Sequence, residues 1–78
     1  MQINVEFIGP IQRGNWAQKE SISTQAENTL GVFLVEIGFQ PEHLAHILVI
    51  RNGTVTRDFD TPLQDGDSLQ LSVLLGGG

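Results

Sequence analysis

Seventy-eight residues leave room for one domain, and nine acidic against four basic side chains give a net charge of -5, a surface that a phosphate backbone would repel. Hydrophobic residues are 40% of the chain and charged ones 17%, enough apolar surface to offset the entropy of ordering, which excludes a disordered chain. Cysteine is absent, so disulfides, thiolate nucleophiles and cysteine-ligated zinc are excluded, and any sulfur chemistry needs another atom as its handle.

Met1 to Gly9 has neither a basic start nor a sustained apolar run, and no stretch of about 18 apolar residues occurs anywhere. No signal peptide or membrane span is expected, and a cytoplasmic location follows as the default. No nucleic-acid or membrane partner is expected; a basic protein groove suits the charge better.

From Gln2 to Ile8 the chain alternates, with Ile3, Val5 and Phe7 on one side and Gln2, Asn4 and Glu6 on the other. That period of two predicts a half-buried strand, ended by Gly9 and Pro10. Arg13 to Ser23 is polar: a loop through Gly14 and Asn15, then a strand over about Lys19 to Ser23. Leu30, Phe33, Leu34 and Ile37 recur at i, i+3, i+4 and i+7, one stripe of a helix that must bury it, the sheet being the expected partner. Thr29 is the expected N-cap, with a Thr24 and Glu27 capping box as the alternative start, and Gly38 and Pro41 as the stop. Gly31 costs a helix interior about 1 kcal/mol against alanine, so it belongs in the first turn.

His46 to Arg51 is almost continuously apolar and rich in β-branched residues, which predicts a central strand. Asn52-Gly53 predicts a tight hairpin returning over Thr54 to Phe59. Asp65-Gly66-Asp67 is a further turn. Ser68 to Leu75 alternates again, with Leu69, Leu71, Val73 and Leu75 on one side. The order strand, strand, helix, strand, strand, strand makes an α+β domain over residues 1–75, a mixed sheet of about five strands covered on one face by one helix. Residues 76–78 form a glycine tail.

Five stretches then carry a family likeness: Phe7-Ile8-Gly9-Pro10-Ile11; Thr29-Leu30-Gly31 with the helix end Ile37-Gly38-Phe39; Leu48 to Gly53; Leu63-Gln64-Asp65-Gly66-Asp67; and Gly77-Gly78. In this order and spacing the chain resembles the β-grasp sulfur carriers of molybdopterin and thiazole biosynthesis, relatives of ubiquitin, over essentially its whole length. It has three terminal glycines where the family usually shows two, and Val73-Leu74-Leu75 where small subunits of molybdopterin synthase tend to have prolines.

The resemblance implies that an ATP-dependent activating enzyme joins the C-terminal carboxylate of Gly78 to AMP, and that a sulfur donor then displaces AMP to leave a thiocarboxylate. The carrier would bind no cofactor and have no catalytic site of its own, ATP being used by the partner. Its other partners would be the large synthase subunit or a thiazole synthase. Gly76 and Gly77 lack a Cβ and make a tail slim enough to thread a channel. The four residues beyond Leu74 extend at most about 13–14 Å. Leu74 alternates onto the side opposite Leu69, Leu71 and Val73, which makes it the preferred docking residue, with Leu75 beside it.

Other candidates carry less. His43 and His46 are three apart, but zinc needs three or four ligands and only Glu42 is near, so surface histidines and no metal site are expected. Asp58, Asp60, Asp65 and Asp67 lack the spacing and closing glutamate of a calcium loop, and a solvated acidic face is expected. Trp16 is either a partner contact or a cover for one edge of the core. Lys19 is the only lysine. It or the amino terminus would be the only branching point if the chain were instead a ubiquitin-like protein modifier, the first alternative to a sulfur carrier; a noncovalent interaction module with an inert tail is the second.

Overall fold

In the computed structural model, which describes residues 1–73, alternation becomes burial. Strand β1 (Gln2–Phe7) turns Ile3, Val5 and Phe7 inward at 0–2% exposure. The antiparallel register Ile3↔Ile22 brings Ile22 of β2 (Lys19–Ser23) onto the same face. Strand β5 (Ser68–Val73) runs parallel to β1, with Val5↔Leu69 and Phe7↔Leu71 in register. On its other side β3 (Ile47–Arg51) pairs antiparallel, and β4 (Thr54–Thr56) closes the sheet in the order β2-β1-β5-β3-β4. The mixed five-stranded sheet and its single α-helix are the expected architecture.

Helix α1 (Leu30–Glu36) has seven residues, too few to persist without tertiary packing. It buries Leu30, Phe33 and Leu34 against the sheet, and Ile37 just beyond it joins them. Thr29 is the N-cap, its Oγ1 accepting from the Val32 amide at 3.2 Å. At the other end the Gly38 amide donates to the Val35 carbonyl and the Phe39 amide to the Leu34 carbonyl, closing a Schellman motif. The alternative capping box does not form. Thr24 Oγ1 instead donates to Glu36 at 2.6 Å and accepts from Asn28, and Glu27 takes a φ of 70°. Gly31 lies in the first turn, as expected, and there the loop after β4 comes close: a Cβ would meet the Phe59 carbonyl oxygen at 3.1 Å.

Three expectations need correction. The return strand stops at Thr56, not Phe59, because the Asp58 amide turns back to Thr56 Oγ1 and the Asp60 amide to Asp58 Oδ1. This bend brings Phe59 against Gly31 and the core. Pro41–His46 forms a 3-10 helix, so β3 begins at Ile47 rather than His46; proline suits the first turn because its missing N–H would go unpaired there anyway.

The third concerns Asp67, expected on a solvated face but only 6% exposed. It accepts from Arg51 Nε at 3.0 Å, Asn52 Nδ2 at 2.9 Å and the Gln64 amide at 2.9 Å, and Arg51 Nη2 lies 2.7 Å away. Burial works to raise its pKa, but these hydrogen bonds and the Arg51 charge outweigh it and hold the carboxyl below its ordinary value. Asn52 and Gly53, at φ 51° and 86°, make the expected hairpin turn, and Asn52 Oδ1 also accepts from the Ser68 amide.

Candidate functional site

The residues singled out for chemistry and docking, Leu74, Leu75, Gly76, Gly77 and Gly78, lie outside the described residues. What is fixed is the place from which they depart. β5 occupies the middle of the sheet, and at its end Val73 is in register with Ile47. Across the parallel pair the Ile8 amide donates to the Leu71 carbonyl at 2.8 Å. Val73, the last described residue, therefore lies between the end of β1 and the start of β3.

Beside Val73 lies the sheet face that, among the described residues, no helix covers. Alternation and register assign it Gln2, Asn4 and Glu6 from β1, Ser68, Gln70 and Ser72 from β5, Leu48 and Ile50 from β3, and Val55 from β4. One row crosses the whole sheet: Val55, Ile50, Gln70, Glu6, Lys19. It is apolar at the β4 edge and charged at the β2 edge, with Gln70 Nε2 donating to Glu6 Oε1 at 3.2 Å between them. A shallow concavity follows the polar half of this row.

The apolar half is formed by Leu48 and Ile50, both half-buried, by Val55 at 56% exposure, and by Ile8 at 36%, next after Phe7 and so on the open side. The almost continuous apolar run of His46 to Arg51 puts apolar side chains on both faces of β3, Leu48 and Ile50 on the open one. Val55 and Ile8 were missed. The signal for Val55 was the Asn-Gly turn itself, since a two-residue turn places Val55 opposite Ile50.

The remaining candidates disperse. His43 and His46 are both exposed on the 3-10 helix, and among the described residues no three His, Asp or Glu side chains converge as metal ligands. The four aspartates do not act together: Asp67 is buried with Arg51, Asp65 accepts from the Gln2 amide at 2.7 Å, and Asp58 and Asp60 bend the loop after β4. Trp16 covers the core edge, packing on it while Nε1 donates to the Ile37 carbonyl at 2.8 Å. Of the two amines, Lys19 is exposed, whereas the Met1 ammonium donates to the Thr24 carbonyl at 2.8 Å. No helix among the described residues is long and apolar enough to cross a membrane.

No protein-family model and no curated protein matches the chain. Solved structures do. A chain from the protein-protein complex of subunits 1 and 2 of molybdopterin-converting factor from Helicobacter pylori 26695 is 26% identical, with 100% of both chains covered and a TM-score of 0.67. Urm1 from Trypanosoma brucei is 20% identical over 99% of this chain and 95% of its own, with a TM-score of 0.72. SAMP1 from Haloferax volcanii is 19% identical over 100% of both chains, also with a TM-score of 0.72. The latter two bear on the fold alone. The chain has the ubiquitin-like β-grasp fold that its sequence pattern resembles.

Proposed function

We propose that this chain is a sulfur carrier for cofactor biosynthesis, working through a terminal carboxylate on Gly78. The observation that carries the reading is the end-to-end likeness, in fold and at 26% identity, to a chain of the two-subunit molybdopterin-converting factor. It favours the molybdopterin branch over the thiazole branch, and a larger synthase subunit as one partner.

A carboxylate is anionic and resonance-stabilised, so it must be activated before sulfur can enter. Attack of a carboxylate oxygen on the α-phosphorus of ATP, in a partner activating enzyme, yields the acyl-adenylate and releases pyrophosphate. Sulfide, the simplest donor, then adds to the acyl carbon and expels AMP, leaving a thiocarboxylate. The chain contributes the carboxyl group, the glycines that lead to it, and a face for the partner to hold. That face is the apolar half of the open sheet, because Ile8, Leu48 and Ile50 flank the strand that leads to the tail. Five residues follow Val73, a contour of at most about 17–18 Å into a partner's site.

The test is intact-protein mass spectrometry after incubation with an activating enzyme, ATP and sulfide. The chain should gain roughly 16 Da, sulfur for oxygen, with every internal peptide unchanged. Deleting Gly78, or adding one residue after it, should abolish the gain while the melting curve stays put, since the reacting carboxylate must be held in line with the α-phosphate. Equal gain on the shortened chain refutes the proposal, and no gain on the native chain with a demonstrably active enzyme favours a noncovalent module.

A further inference from the structure

A second apolar surface lies on the helix side, away from the sheet face assigned above. Helix α1 turns Leu30, Phe33 and Leu34 to the core and leaves Val32 and Val35 outward, 48% and 41% exposed. These valines do not stand alone. They share a groove with Leu44 of the 3-10 helix and Phe59 of the loop after β4. One side of it depends on Gly31, whose amide donates to the Phe59 carbonyl at 2.8 Å and whose missing Cβ admits that loop.

Two carboxylates line this groove and no lysine or arginine does. Glu36 is held by Thr24 Oγ1 at 2.6 Å and by Asn28 Nδ2 at 3.3 Å from both of its oxygens. Asp60 is set by the bend in which its amide donates to Asp58 Oδ1. Asp58 itself is kept charged by the Thr61 side chain and the Asp60 amide, which hold its pKa below the ordinary value. Of the nearby cations, Arg51 is engaged by Asp67 and the Pro62 carbonyl, and Arg57 does not line the groove.

We infer that this groove is a docking site for a partner segment of apolar side chains flanked by lysine or arginine. Apolar residues exposed together, with a rim of one charge sign, gain from an occupant that removes them from water and answers that charge. An acidic or neutral segment would cover the valines but leave Glu36 and Asp60 unanswered. Because the groove is on the helix side, such a partner can hold the protein while the sheet face and tail are engaged elsewhere. The inference uses nothing of the proposed tail chemistry and stands or falls apart from it.

The experiment is an amide-resolved NMR titration of the full chain with a blocked amphipathic peptide of leucine and lysine, alongside a control peptide with glutamate for every lysine. The lysine peptide should give saturable shifts centred on Val32, Val35, Leu44 and Phe59, and the glutamate peptide none. Val35→Ser and Asp60→Lys, whose spectra report directly that they remain folded, should each weaken binding by roughly tenfold. Shifts centred instead on Ile8, Ile50 and Val55, equal binding of both peptides, no saturable binding, or unchanged affinity in both folded variants would each overturn the assignment.

Discussion

Replacing Asp67 by asparagine keeps the shape of the side chain and removes its charge, which isolates what the buried ion pair contributes. The carboxylate accepts from Arg51, Asn52 and the Gln64 amide, and it is 6% exposed. Breaking a fully buried pair costs about 3–5 kcal/mol. Here the Arg51 side chain is 19% exposed, so water can take over part of its hydrogen bonding, and about 2–3 kcal/mol is the expected loss. A chain of this length has roughly 4–12 kcal/mol in all, so urea melts at neutral pH should show a large fall in midpoint at unchanged m.

The pH dependence separates charge from packing. The folded pKa of Asp67 is lowered, so the folded state binds this proton less readily than the unfolded chain does. The stabilisation is therefore complete above the unfolded value, near ~3.9, and is lost as pH falls through the folded one. The gap between native protein and Asp67→Asn should be widest at neutral pH and narrow steadily below pH ~4. A gap under ~0.5 kcal/mol, or one of constant size down to the acid limit of folding, would refute the reasoning.

Phe33→Ala should cost about 3–5 kcal/mol in the same melts, because the ring is wholly buried between helix and sheet; a loss under ~0.5 kcal/mol would detach the helix from the core. Gly31→Ala should fall short of the gain of about 1 kcal/mol that helix propensity alone would give, since the new Cβ meets the Phe59 carbonyl oxygen at 3.1 Å and the loop after β4 must give way to admit it; the full gain would contradict that contact. Val55→Asp, at a side chain 56% exposed on the edge of the open sheet face, and Leu74→Asp should shift the melting curve little and weaken binding to an activating enzyme, measured by calorimetry; unfolding of either variant would assign that side chain to the core instead.

Most of the framework was legible because it rests on local rules. The alternation of Ile3, Val5 and Phe7, the helical stripe from Leu30 to Ile37, the Thr29 cap and the Asn52-Gly53 turn each involve residues a few positions apart. What stayed hidden depends on distant partners. Asp67 reads as one more surface acid until β3 and β5 pair, which brings Arg51 and Asn52 to it from sixteen and fifteen positions away. Trp16 could not be assigned from its polar neighbours, because the acceptor of its indole N–H is the Ile37 carbonyl on another element. Hydrophobicity likewise revealed Leu48 and Ile50, whereas Val55 joins them only through the register of a three-residue strand.

Those same long-range contacts bear on how the domain can serve a tail-borne reaction. At the start of β5, the Ser68 amide is held by Asn52 Oδ1, the Asn52 amide by the Ser68 carbonyl, and the Asn4 amide by the Asp67 carbonyl. At its far end Ile47 pairs with Val73. A strand clamped at its beginning and flanked on both sides along its length cannot slide in register without exposing Leu69 and Leu71, both at most 1% exposed. The position of Val73 relative to Ile8, Leu48 and Ile50 is thereby set by the core. On the proposed function, a partner that grips this face would therefore meet Val73 at an origin fixed by the core. On that reading, weakening the Asp67 cluster without unfolding the protein should slow the proposed activation of Gly78, followed by intact mass, without changing the product formed.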